Sequence, residues 1–144
     1  MHLTPLCSMD LRYTSDFHLI RPYGNESGAG WGIGEGTVTG QRLSGGIVWS
    51  NQPQRRGDGA MLPKVRGVIT TAEGGQVFCD LIGRTVFLAR DGATVGRQLL
   101  MTLFESEARQ YAWLNNTVCM TEGVMDPETG TAHFEVHICE SDLG

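Results

Sequence analysis

Short apolar runs with strand-like alternation recur along the whole chain, and the connectors between them are too short to hold a crossover helix. The runs fall at roughly 6–17, 31–39, 43–49, 65–71, 77–89, 97–105, 112–122 and 131–138, with a break allowed at Gly83. A glycine-rich loop occupies 24–30. Thr39-Gly40-Gln41-Arg42, Ala72-Glu73-Gly74-Gly75, Arg90-Asp91-Gly92-Ala93 and Asp126-Pro127-Glu128-Thr129-Gly130 each carry turn residues with a defined backbone role. Connectors this short force successive strands to lie side by side and antiparallel. The one helical candidate is a turn or two near 106–109. An all-β meander of about eight strands then closes into a small barrel or folds into a β-sandwich; closure is preferred because it removes the exposed edges.

The 144 residues fit one domain, residues 1–144, large enough to bury a core without cross-links. Formal net charge is −5 and no basic patch stands out, which argues against a nucleic-acid partner. Arg55-Arg56 reads as a solvated turn. Cys7, Cys79, Cys119 and Cys139 form no CxxC pair, and the N-terminal segment lacks the basic and apolar regions of a signal peptide. They read as reduced thiols packed as small hydrophobes, so a cytoplasmic location is expected. No apolar run approaches the ~18 residues of a membrane span. The run 99–104 is apolar at five of six positions, hence on both faces, and homo-oligomerisation is expected from it.

The longest irregular stretch, 50–60, follows Trp49, and loops at barrel mouths are where binding chemistry is placed. Asn51, Arg55 and Asp58 in that loop, with Trp49 as a cavity wall, are therefore candidate ligand-binding residues. Thr70 and Trp113 complete the set. Arg66, Val68 and Thr70 share one face of a strand; Phe78, Asp80, Ile82 and Arg84 share another. A two-residue loop at Glu73-Gly74 would pair Thr70 with Val77; a three-residue loop with a glycine bulge would pair it with Phe78 and set Arg66 and Asp80 on one wall. A lumenal Arg66 would anchor an anion, and Asp80 would stay ionised beside it as a base. The alternative is an exterior ion pair of little energetic value. Glu105, at the end of the apolar run, could act as a rim acid or base. These three are the candidate catalytic residues.

His133-x-Glu135-x-His137 places three potential metal ligands on one strand face, but the intervening Phe134, Val136 and Ile138 should point into the core and leave the histidines outside. No metal or other cofactor is expected. The Gly32-Ile33-Gly34-x-Gly36 run is not followed by a helix, so it is not a dinucleotide loop.

Gly34-x-Gly36-Thr37-Val38-x-Gly40, Leu43-Ser44-Gly45 with Trp49, Arg56-x-Asp58-Gly59, Arg66, Thr71-x-x-Gly74-Gly75, Phe104-Glu105 and Tyr111-Ala112-Trp113-Leu114-Asn115 together resemble a domain family of unknown function. That family has the allene oxide cyclase-like, calycin-like β-barrel fold, and the resemblance spans nearly the whole chain. The family often has an acid just before the tryptophan matched by Trp49; here that position is Val48, so no role of that acid carries over. The resemblance implies a barrel and no established reaction. Two functions fit: a cofactor-independent isomerase, lyase or cyclase acting on a small, largely apolar substrate, or a non-catalytic carrier or sensor of a lipid-like or aromatic molecule.

Overall fold

Alternation sorts every long strand into an inward row and an outward row, and the inward rows meet around one core. The computed structural model describes all residues, Met1–Gly144. The strands are β1 (His2–Tyr13), β2 (His18–Ile20), β3 (Gly28–Thr39), β4 (Gly45–Asn51), β5 (Gln54–Arg55), β6 (Met61–Leu62), β7 (Lys64–Thr70), β8 (Gln76–Arg90), β9 (Ala93–Glu105), β10 (Val118–Asp126) and β11 (Thr131–Glu140). A 3₁₀ helix, Arg109–Asn116, precedes β10. Eight long strands close a ring in the order β1-β3-β4-β7-β8-β9-β10-β11, with β11 returning to β1, and every pairing is antiparallel. The fold is the closed antiparallel barrel expected from the meander, and the sandwich is not formed.

Met9, Leu11, Val38, Ile47, Trp49, Val65, Ile69, Val77, Cys79, Leu81, Leu100, Phe104, Cys119, Phe134 and Val136 belong to the core that fills the lumen. In β1 two consecutive residues, Leu6 and Cys7, are both buried, because the ladder to β11 shifts register between Pro5 and Cys7. Such a bulge turns the strand without breaking the barrel. Thr102 and Thr121 are also fully buried and satisfy each other through a 2.7 Å hydroxyl bond. The four cysteines are unpaired. Burial pushes the Cys7 and Cys79 thiols up to about 12 and that of Cys119 up to about 11, so these three stay protonated packing groups.

Two departures from the sequence reading shape one end of the barrel. Residues 112–116, expected to begin a strand, belong to the 3₁₀ helix, and the strand starts only at Val118. The cause is local. Asn115 Oδ1 accepts from Ser106 N at 2.7 Å and its Nδ2 donates to Ser106 O at 2.9 Å, taking over the role of a ladder partner. Tyr111 and Leu114 are thereby buried as a plug over one end of the barrel. The Tyr-x-Trp-Leu-Asn motif is thus a lid clamp, and its Trp113 lies under the Arg42 guanidinium, 3.8 Å from the ring centroid. The second departure is the β7–β8 connection. Thr70 pairs with Gln76, not with Val77 or Phe78, across a loop of residues 71–75 in which Gly74 takes φ +84°. Thr71 N donates to Gly75 O at 2.9 Å, closing the wider turn.

The outer surface of β8, β9 and β10 carries an apolar stripe of Phe78, Ile82, Leu99, Leu103, Val118 and Val124, with Phe78 57% and Leu99 59% exposed. On β11, Phe134, Val136 and Ile138 point inward as expected, and His133 and His137 lie on the outer face. The His133 ring bridges Asp10 (Nδ1 to Oδ1, 2.7 Å) and Glu135 (Nε2 to Oε1, 2.8 Å). Hydrogen bonds to Asp10 and then Glu135 raise its pKa above the ordinary 6.5. A raised folded-state pKa contributes stability that is complete below about 6.5 and is lost as pH rises through the raised value. Unfolding measurements should therefore find wild type more stable than His133→Ala at pH 5.5, with the gap shrinking by pH 9. A gap that widened with pH would contradict this bridge.

Candidate functional site

The end of the barrel opposite the 3₁₀ plug is open. There the last turns of β1, β4, β8 and β10 and the first of β7, β9 and β11 enclose a cavity of about 410 Å³. That lies within the range of small-molecule pockets. Leu11, Trp49, Val65, Phe87, Met125 and Phe134 are among its apolar lining.

One wall is built in an unusual way. On β3 the inward positions Gly30, Gly32 and Gly34 carry no side chain, and three aromatic rings lie against the bare backbone. A Cβ at Gly30 would meet Phe17 at 2.5 Å, one at Gly32 would meet Tyr13 at 2.5 Å, and one at Gly34 would meet Trp49 at 2.2 Å. Only glycine permits so close an approach. The rings support each other. Tyr13 meets Trp49 edge-on at 4.7 Å and Phe17 tilted at 5.6 Å. Trp49 is further fixed by its Nε1–H, which donates to Glu35 O at 3.1 Å.

The polar groups inside are few and neutral. Asn51 Oδ1 accepts from Lys64 N at 3.1 Å, which turns its Nδ2 toward Tyr13 Oη at 3.0 Å. The Tyr13 hydroxyl accepts that bond and keeps its own proton to donate. Burial pushes the phenol above its usual value, so it is protonated at any physiological pH. Across the lumen, Gln98 Nε2 donates to Thr85 Oγ1 at 3.0 Å. Gln98 Oε1 is buried with no partner. The charged groups of the lining are two carboxylates, Asp16 and Glu128, on the connectors at the mouth; no Arg, Lys or His contributes.

Of the residues proposed from sequence, Trp49 and Asn51 line this cavity. Arg66 and Asp80 are directly opposite each other, but on the outer wall, with Arg66 Nε donating to Asp80 Oδ1 at 2.8 Å. The lumenal placement of the pair is corrected. The β7–β8 loop sets a register in which Val65, Gly67 and Ile69 take the inward positions, leaving Arg66 78% exposed. Thr70 is on the same outer row, and Glu105 is exposed opposite Phe78 near the plugged end. Trp113 sits on the plug itself. Arg55 is half-buried on β5 and paired with Glu26 at 2.5 Å. Asp58 is exposed and held near 2 by hydrogen bonds from Arg56, within the tight turn of the 50–60 loop. That loop is largely ordered by the β5–β6 ladder and by Gly30 N donating to Pro53 O at 2.8 Å.

Tyr13, Phe17, Thr85 and Gln98 were not singled out by the sequence reading. For the aromatics a signal was available: glycines at period two on a strand mark a surface that rings can cover. Gln98 is one polar residue in an inward row, and only its register reveals it.

No protein-family model matches the chain, and no curated protein matches it. Solved structures do match over nearly its full length. A β-barrel-like protein from Acinetobacter baumannii AYE has 15% identity and a TM-score of 0.85, covering 96% of each chain. A protein of unknown function from Clostridium acetobutylicum ATCC 824 has 15% identity and a TM-score of 0.81, covering 97% of this chain and all of that one. A protein described as an enzyme, from Penicillium herquei, has 16% identity and a TM-score of 0.69, covering 94% of this chain and 93% of that one. At such identities the likeness is one of fold: this chain is a small closed β-barrel of the architecture those proteins share.

Proposed function

We propose that the barrel binds a small, neutral, largely apolar organic molecule in the open-end cavity. The carrying observation is that the lumen offers aromatic and aliphatic walls with a Tyr13 hydroxyl free to donate, and no cationic group. An anion entering there would leave water, pass Asp16 and Glu128, and find no counter-charge. The reading is that of a carrier or sensor. The four unpaired cysteines fit work in a reducing compartment, the cytoplasm. The Phe104-Glu105 and Tyr111 to Asn115 segments continue to support kinship with the allene oxide cyclase-like barrels.

Titration with 2-naphthol, followed by tryptophan fluorescence and calorimetry, tests the reading. Saturable one-to-one binding is expected, abolished by Ala132→Trp, which fills the cavity. Arg66→Ala, Asp80→Asn and Glu105→Gln should leave it unchanged; a tenfold loss in any of them would move the site to the outer wall. Absence of saturable binding would remove the reading altogether.

A second reading has support of its own. One structural neighbour is described as an enzyme, and a neutral phenol aimed at a carbonyl oxygen can stabilise the negative charge that develops on enolisation. The barrel would then act as a cofactor-independent isomerase, lyase or cyclase, with a rim carboxylate, Asp16 or Glu128, receiving the proton. Recovery of the bound molecule chemically unchanged favours the carrier; conversion to an isomer favours the enzyme.

We infer further that the barrel self-associates through the β8–β10 stripe, a second copy being the occupant. The stripe has Glu105 and the Arg66-paired Asp80 toward one end and Arg84 and Arg97 toward the other, where Glu122 stands opposite Leu99, and neither of these two arginines forms an ion pair within the chain. A two-fold axis through the stripe sets each acidic end on the partner's basic end while covering Ile82, Leu99 and Leu103. Sedimentation should give a dimer at micromolar concentration and a monomer for Leu99→Arg. A monomeric wild type would overturn it.

A further inference from the structure

We propose that Gln98 makes the cavity select molecules carrying a hydroxyl or N–H donor over isosteres that lack one, a specificity that rests on the cavity reading above. Gln98 is the one polar residue of the inward row of β9 that reaches this cavity. Gly96 precedes it toward the mouth and the fully buried Leu100 follows it toward the plug. It is only 9% exposed. Its amide is oriented from one side alone: Nε2 donates to Thr85 Oγ1 on the neighbouring strand, and Thr85 is itself buried at 3%. That leaves Oε1 facing no protein donor.

A buried carbonyl oxygen without a partner is a standing cost to the fold, and native proteins keep such groups mostly where something else satisfies them. Gln98 also lines the cavity, so a guest held there is the outside source of a satisfying group. It must bring a proton on oxygen or nitrogen, because Oε1 can only accept. It must not be an anion, because the mouth carries only carboxylates and the lumen offers no counter-charge. The two polar fixtures then divide the work. Tyr13 donates, and any oxygen of the guest can accept that bond; Gln98 accepts, and only a guest with a donor can answer it. A site built to accept a hydrogen bond rejects an analogue lacking the donor far more strongly than an apolar wall rejects an extra methyl group. Gln98 is therefore the discriminating contact and Tyr13 the permissive one.

The test compares 2-naphthol with 2-methoxynaphthalene, which keeps the rings and the oxygen but has no donor. Wild type should bind the naphthol about tenfold or more tightly, the loss expected when a buried acceptor goes unanswered. In Gln98→Leu that preference should fall to about twofold or less, through weaker naphthol binding with the ether unchanged or improved. The melting temperature should change little, since one unpaired acceptor is removed while the Thr85 hydroxyl loses its partner; Gln98→Met serves if leucine does not pack. Equal binding of both probes by wild type overturns the selectivity while leaving the cavity reading intact. Tighter binding of the ether, or a preference that survives in both Gln98 variants, also overturns it. If neither probe binds wild type, the cavity reading itself fails.

Discussion

Phe104→Ala is expected to lower the unfolding free energy by about 4 kcal/mol, the range for emptying a phenylalanine site in a packed interior. In a chain of this size that lowers Tm by more than about 10 °C. The ring is 1% exposed and belongs to the same buried cluster as Tyr111 and Leu114, so the void would open at the plugged end, where three elements converge. Those elements are β9, the 3₁₀ helix and the 106–108 segment that Asn115 clamps through Ser106, and the clamped segment cannot move inward without breaking a hydrogen bond. The contrast is Val48→Ala, on the outer row of β4 and 60% exposed, which should cost less than about 1 kcal/mol. Equal losses in the two variants, measured by urea unfolding, would mean that the inward and outward rows have been misassigned.

Gly34→Ala is the second large effect, at about 3 kcal/mol, for a different reason. The new methyl group would sit 2.2 Å from Arg12 O and 2.2 Å from Trp49 Cζ2. The first is backbone within the β1–β3 ladder and cannot yield; the second is a ring held by its own hydrogen bond to Glu35 O. The strand must bow or Trp49 must leave, and either outcome should also weaken 2-naphthol binding. Gly57→Ala, where a Cβ meets nothing within 4 Å, is the matched control and should be neutral. A Gly34→Ala protein that melts with wild type would show that the ring does not lie against the strand as described.

The barrel was legible in the sequence because period-two alternation and short turns are properties of the chain itself. The inward placement of Phe134, Val136 and Ile138 follows from alternation within one strand and needs no partner. Arg66 and Asp80 illustrate the limit. Their mutual pairing and their side of the sheet both depend on how many residues the 71–75 turn consumes, and a one-residue difference inverts the face. The 3₁₀ plug was hidden for a related reason: apolar residues in Tyr111-Ala112-Trp113-Leu114 look the same whether they begin a strand or cap a barrel. The clamp between Asn115 and Ser106, nine residues apart, decides it. The cavity rests on rings and amides gathered from β1, β4, β8 and β9, so no local window contains it.

The glycine wall of β3 has a consequence for how such a barrel can change its guest. Because that strand contributes backbone alone, the relief of the wall is set by rings arriving from β1, from the segment before β2 and from β4. Shortening Phe17, which packs over Gly30 at the entrance, would deepen the mouth without touching any rung of the ladder; enlarging Gly30 in the same step would restore the wall from the other side. At Gly30 and Gly32, where a Cβ meets only side chains, ring and glycine form exchangeable pairs that can be traded at nearly constant volume, whereas the Arg12 backbone keeps Gly34 fixed. A scaffold so arranged can acquire new guests through compensated swaps, leaving the hydrogen-bonded cylinder and its plugged end as they are.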